Sequence, residues 1–142
     1  MAEKKVPLTF QEISARLHAL ALPPIDAVVG IATGGIVPAA LVAHQLQKPL
    51  AYLHISFRAP DNQPLTTVPL VKQPAPQFEA GSHLLLVDDV AVSGKTLATA
   101  RSALPDVKLT TLVLKGRADF VLFPEIEACV LWPWRLQTEG VQ

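Results

Sequence analysis

The chain has 142 residues, half of them hydrophobic, and its 12 basic residues balance 12 acidic ones. That length makes one domain with a substantial core. The neutral balance gives no basic field for nucleic acid, and no apolar run reaches the roughly 18 residues of a membrane span.

The N-terminus, residues 1–7, lacks the apolar segment of a signal peptide. The lone Cys129 forms no internal disulfide, so nothing argues against a reducing, cytoplasmic setting. The four histidines have neither i,i+4 partners nor neighbouring thiolates, which argues against zinc. Thr9-Phe10-Gln11-Glu12 has the pattern of a capping box. Phe10, Ile13, Leu17 and Leu20 then fall on one face of a helix that Pro23-Pro24 ends, with Arg16 and His18 left to solvent.

Residues 26–31 read as the first core strand. Thr33-Gly34-Gly35 then forms a loop before a helix over 36–47, with Pro38 tolerated in its first turn. A glycine pair at a helix start is either a tight turn or an anion cradle, because glycine lets backbone approach a ligand closely. Residues 50–56 are the second strand. Residues 57–81 carry five of the thirteen prolines and can be neither a continuous helix nor a central strand. Such long segments are usually functional lids or disordered.

Leu84-Leu85-Leu86-Val87 is too short for a helix and reads as a strand buried on both faces, ended by Asp88 and Asp89. A turn through Ser93 and Gly94 opens a helix over 95–104, stopped by Pro105. The first amides of a helix have no intrahelical partners and sit at the positive end of its dipole. The segment Ala91, Val92, Ser93, Gly94, Lys95 and Thr96 therefore makes a cup for a phosphate. Two carboxylates beside it suit the paired hydroxyls of a ribose, although acids after a strand can also simply cap a turn. A nucleoside-triphosphate loop of the form G-x-x-x-x-G-K-[ST] is excluded, because Asp89 stands where its first glycine belongs.

Residues 108–115 form a further strand, ending in a Lys115 that either snorkels to water or meets a ligand. Strands alternating with helices give an α/β domain, a Rossmann-like and mainly parallel sheet with helices on both faces. Ligands of such sheets lie beyond the carboxyl ends of the strands. Asp88, Asp89, the Thr33 loop and Lys115 all fall at such ends, which argues for one shared site.

The stretch from Leu84 to Leu97 resembles the signature of type I phosphoribosyltransferases: apolar strand, two acids, small loop, then Ser/Thr-Gly-x-Thr. The similarity extends over residues 27–134 and resembles most the small bacterial xanthine-guanine (6-oxopurine) branch. The resemblance implies a single domain, 1–142, with a mobile flap at 57–81 and a small C-terminal cap at 116–136. Residues 120–123 and 128–134 would be short strands of that cap. It implies transfer of ribose-5-phosphate from phosphoribosyl pyrophosphate to a nucleobase, a 6-oxopurine, with Mg²⁺ and release of pyrophosphate. It further implies a homodimer or higher homo-oligomer. Asp88 and Asp89 would hold ribose hydroxyls and the metal. Thr33, Gly34 and Gly35 would cradle pyrophosphate, Arg58 in the flap would reach it, and Lys115 would donate to the 6-oxo group.

Several positions depart from the family pattern. Thr33 stands where many purine members have a basic residue, Phe57 replaces an aromatic hydroxyl, and Pro64 replaces a flap arginine. Val92 occupies the place of a third acid that takes the proton from the incoming nitrogen. Cys129 falls where the base-stacking aromatic belongs, leaving Trp132 or Phe120 to stack on a base or to pack the core. These departures keep a second reading open, a non-catalytic regulator that binds phosphoribosyl pyrophosphate or a nucleotide.

Overall fold

The computed structural model describes residues 4–56, 70–71 and 74–135. Strand β1 (Val6–Pro7) leads into α1 (Phe10–Ala19). The Thr9 hydroxyl accepts from the Glu12 amide at 3.1 Å, and the Glu12 carboxylate accepts from the Thr9 amide at 3.3 Å, which completes the expected capping box. Then follow β2 (Ala27–Ala32), α2 (Ile36–Leu46), β3 (Leu50–Ser56), β4 (Leu70–Val71), β5 (His83–Ala91), α3 (Lys95–Ala103), β6 (Lys108–Gly116), β7 (Phe120–Val121) and β8 (Val130–Leu131).

The main sheet has the order β4-β3-β2-β5-β6-β7. All its neighbours are parallel except β4, which runs antiparallel to β3. Alternation along the strands divides the core. Val28, Leu85, Val87, Leu112 and Leu114 meet α1 and α2 on one face. Val29, Ile31, Leu84 and Leu86 meet Ala100 and Leu104 on the other. Leu84, Leu85, Leu86 and Val87 have no exposed surface. Burial is worth about 1.5–3 kcal/mol for each such side chain relative to exposure, and this fixes β5 as the central strand.

Three expectations change. Phe120 and Val121 do not join the cap. They pair with Leu112 and Val113 and lengthen the main sheet at its edge. The cap is instead built from β8 and the N-terminal β1, in parallel register Val6↔Val130 and Pro7↔Leu131. Arg16 is not merely solvated. Its guanidinium donates to the Leu122 carbonyl and to Glu125 Oε1, both at 2.9 Å, and lies 4.3 Å from the centre of the Phe123 ring. The α1 helix is thereby tied to the segment that follows β7.

Candidate active site

Strand β5 runs four residues beyond Val87, because β6 continues beside it through the pairs Asp88↔Val113, Val90↔Lys115 and Ala91↔Gly116. Asp88 and Asp89 therefore do not end the strand in solvent. They are only 7% and 9% exposed. Strand β2 stays paired with β5 only as far as Gly30↔Val87. Past that point the β2 side of β5 opens onto the loop Thr33-Gly34-Gly35, and Asp89 turns toward it.

The two acids are tightly placed. Asp88 Oδ1 accepts from the Asp89 amide at 2.8 Å, and Asp89 Oδ1 accepts from the Val90 amide at 2.7 Å. Burial first, and the Asp89 charge second, push the Asp88 carboxyl up to about 8. Two adjacent carboxylates in a low-dielectric setting cannot both ionise without a compensating cation. Asp89 Oδ2 has one at 3.4 Å, the Arg135 guanidinium.

The Ala32–Thr33 peptide is cis. Gly35 donates to the Ile31 carbonyl at 2.7 Å and Ile36 to the Thr33 carbonyl at 3.2 Å, which folds the loop back into α2. Gly35 is the N-cap of α2 and supplies no side-chain cap. On the other side of Asp89, Gly94 caps α3 with φ +81°, the left-handed conformation that glycine adopts without strain. Ser93 Oγ accepts from the Lys95 amide at 3.3 Å. Val92, Ser93, Gly94 and Lys95 are exposed and Thr96 is half-buried. Ala91 is buried at the strand end, and its carbonyl accepts from the Arg117 amide at 2.8 Å.

Beyond these acids lies a cavity of about 260 Å³, lined by Lys5, Val90, Lys115, Cys129, Val130, Leu131, Trp132 and Arg135. Val90 and Lys115 are register partners and line it side by side. Lys115 does not run out to water: its ammonium donates to the Ala128 and Glu127 carbonyls and fastens β6 to the cap. Trp132 is 4% exposed and stacks on Trp134 at 5.3 Å between centroids, so it belongs to both core and cavity wall. Phe120 packs against the core instead. A larger cavity of about 480 Å³ lies between residues 74–80 and 103–107. Those segments precede β5 and β6, so this cavity is at the opposite edge of the sheet from Asp88 and Asp89.

Strands β2, β5 and β6 thus deliver the Thr33 loop, the two acids, the cup and Lys115 to one edge. Arg58 and Pro64 lie outside the described residues. That Lys5, Val90, Leu131 and Arg135 line this cavity was not legible. Lys5 precedes a two-residue strand whose partner is 124 positions away (Val6↔Val130). The only signal for Arg135 was its place directly after Trp132-Pro133-Trp134.

An α/β domain that brings two buried acids, a glycine loop and an open helix start to the carboxyl ends of its strands has the layout in which such sheets bind ligands. Residues 10–136 match the phosphoribosyl transferase domain, and the chain belongs to that family. It is 35% identical over 112 residues to the bifunctional protein PyrR of Pseudomonas fluorescens, covering 72% of this chain and 67% of that one. It is 29% identical over 124 residues to the xanthine-guanine phosphoribosyltransferase of Cereibacter sphaeroides, covering 82% and 72%. Other PyrR proteins are matched over about half their length, 48%. The purine phosphoribosyltransferase of Pyrococcus horikoshii superposes with a TM-score of 0.76 at 24% identity, over 93% of this chain and 95% of that one. At that identity the likeness is one of fold. The enzyme class read from the signature, a phosphoribosyltransferase, stands. Among the described residues no helix is long and apolar enough to cross a membrane.

Proposed function

We propose that the chain transfers ribose-5-phosphate from phosphoribosyl pyrophosphate to a 6-oxopurine and releases pyrophosphate, as a cytoplasmic homo-oligomer. The observation that carries this reading is the convergence of Asp88, Asp89, the Thr33 loop and Lys115 on one edge of three adjacent strands. An oligomer would cover Leu50 and Tyr52, apolar residues 45% and 50% exposed on β3. The base is the finer part of the proposal, since the matched relatives include both a purine enzyme and PyrR proteins.

In this reading the 5′-phosphate sits on the amides of residues 92–96, with Ser93 and Thr96 hydroxyls beside it. Asp88 and Asp89 accept from the ribose hydroxyls. Thr33, Gly34 and Gly35 present backbone to pyrophosphate, and Lys115 donates to the oxo group of the base. A ring nitrogen forms the C1–N bond and gives up its proton to solvent, while the C1–O bond breaks and pyrophosphate leaves with its electron pair. The phosphate cup binds at a distance from the bond being broken, so its binding energy orients C1 toward the base.

The donor set fits Mg²⁺. Asp88 and Asp89 are hard oxygen ligands, and no cluster of three or more ligating side chains exists among the described residues. Magnesium is characteristically held by one or two carboxylates together with substrate phosphates. Bound there, the ion would neutralise charge growing on the leaving pyrophosphate.

A second reading, a non-catalytic binder of phosphoribosyl pyrophosphate or a nucleotide, is favoured by the Arg135 contact to Asp89 and by the exposed Val92. Pyrophosphate release with phosphoribosyl pyrophosphate, Mg²⁺ and a purine panel separates the two. Transfer predicts base-dependent release, lowered on the order of 10²-fold or more in Asp89→Asn through lost orientation of C1. Tight ligand binding without release on any base overturns it.

A further inference from the structure

We propose that the 480 Å³ cavity at the C-terminal end of α3 is an effector site for a small apolar molecule bearing an amine. Its occupancy tightens phosphate binding at the other end of that helix. The linkage rests on the phosphate cup of the transferase reading, whereas occupancy of the cavity does not.

The cavity lies between residues 74–80 and 103–107, and its volume falls within the roughly 300–1,000 Å³ of small-molecule sites. Pro76, Phe78, Leu104 and Val107 give it an apolar wall. Leu104 is 4% exposed, and Phe78 and Val107 are half-buried against the same core. The two sides are tied together by backbone. Gly81 donates to the Asp106 carbonyl and Lys108 to the Ser82 carbonyl, both at 2.8 Å.

The preference for a cation has two sources. Asp106 is the only charged residue lining the cavity, and among the described residues nothing pairs with its carboxylate. Arg101 and Lys108 are exposed nearby in sequence, but neither lines the cavity. The second source is the end of α3, since Ala103 and Leu104 form part of the wall. The last carbonyls of a helix lack intrahelical donors and carry the negative end of its dipole. The Leu104 amide reaches the Arg101 carbonyl, and Pro105 has no amide to give. An ammonium group would therefore meet a carboxylate and helix carbonyls on the edge of an apolar wall. An anion would meet acceptors of its own sign.

The link to the cup is α3 itself. Gly94 opens the helix at the cup and Leu104 closes it at the cavity, nine helical residues and roughly 14 Å apart. Of those nine residues only Ala100 is buried, and the N-cap supplies no side-chain bond. Thr96, Thr99 and Ser102 are weak helix formers, and helices this short are marginal without tertiary packing. An anion at the N-terminus and a cation at the C-terminus favour the same helical state. Each ligand that orders α3 lowers the ordering cost left to the other.

The experiment follows the full chain, labelled with nitrogen-15, by NMR. The probes are phenethylamine, its neutral counterpart benzyl alcohol and its anionic counterpart phenylacetate. Inorganic phosphate is titrated with and without saturating phenethylamine, read at the amides of Ser93 to Thr96. Wild type is compared with Asp106→Asn, where asparagine suits the left-handed φ of +64°, and with Ala80→Trp, which fills the cavity from an exposed position. Thermal melting verifies folding of both. Phenethylamine should shift the amides of Phe78, Leu104 and Val107 and tighten phosphate about fivefold, the low end of ordinary coupling between sites. Phenylacetate should bind more weakly than benzyl alcohol. Asp106→Asn should erase the preference for the amine, and Ala80→Trp should remove both binding and tightening. No shift at those three amides, or phenylacetate binding as well as phenethylamine, overturns the site. Binding of phenethylamine with phosphate affinity unmoved overturns the effector role. Phosphate that shifts no amide from Ser93 to Thr96, with phenethylamine still bound, overturns the cup and the linkage but upholds the cavity as a site.

Discussion

The Asp89 carboxylate lies where a side chain on Gly34 would stand: a Cβ built there meets Asp89 Cγ at 2.5 Å and Oδ1 at 2.7 Å. The neighbouring Gly35 is tight for a different reason, since its Cβ would meet the Ile31 carbonyl oxygen at 2.7 Å and Asp88 Cα at 2.9 Å. One glycine gives room to a functional side chain and the other to the backbone of the sheet. Gly34→Ala should therefore displace Asp89 and weaken binding of phosphoribosyl pyrophosphate, with little loss of stability. Gly35→Ala should destabilise the fold by roughly 1–3 kcal/mol or more, as overpacking does. Calorimetric affinity and urea unfolding of both variants check the contrast; equal effects of the two on both quantities would contradict it.

The buried Asp88 carboxyl gives a pH signature. Its proton is held in the folded chain to about pH 8, whereas an unfolded aspartate releases it near pH 4. Between those values the native state binds more protons than the unfolded state, so stability falls as pH rises and levels off above about 8. Asp88→Asn removes this penalty. Without Mg²⁺ it should stabilise the protein on the order of 1–3 kcal/mol at pH 8.5 and by little below pH 4. Urea unfolding across pH in EDTA reads this directly; a variant less stable than wild type at pH 8.5 would contradict it.

Much of this fold was legible because apolar runs and caps have local causes. The capping box at Thr9, strands near residues 27–32, 50–56 and 108–116, and the turn at Gly94 all follow from side chains within a few positions. The burial of Asp88 and Asp89 was not legible, since it depends on how far β6 accompanies β5. Nor was the pairing that builds the cap, because β1 and β8 are two residues each and pair across the whole chain. The cationic side of the cavity is a product of that pairing, which carries Lys5 to Lys115 and Arg135. Arg16 misled for a similar reason: its partners Glu125 and Leu122 are more than a hundred positions away.

That anchor can be weighed. Arg16 and Glu125 are 43% and 52% exposed at their side chains, so the ion pair itself is worth little. The bond to the Leu122 carbonyl and the Phe123 ring contact add to it. Arg16→Ala should cost about 1–2 kcal/mol, and Glu125→Gln less. Chemical denaturation checks the order; equal losses in the two would assign the stability to the ion pair alone.

Val92 offers a gain-of-function test. It is 76% exposed, so Val92→Asp should fold normally and place a carboxylate near the attacking nitrogen. Positioned bases contribute about 10²–10⁴-fold, and turnover of a base that keeps its ring proton, such as hypoxanthine, should rise toward the low end of that range. An acidic base should gain less, and repulsion between carboxylate and anion can reduce it. Steady-state rates on hypoxanthine and xanthine decide; equal gains on both would contradict the assignment.

The most direct measurement is a crystal structure of the protein with a purine nucleoside 5′-monophosphate and Mg²⁺. The account predicts the phosphate on the amides of residues 92–96, the ribose hydroxyls at Asp88 and Asp89, and the base in the cavity beside Val90, Lys115 and Trp132. A nucleotide bound in the larger cavity between residues 74–80 and 103–107, with the 92–96 loop empty, would contradict it.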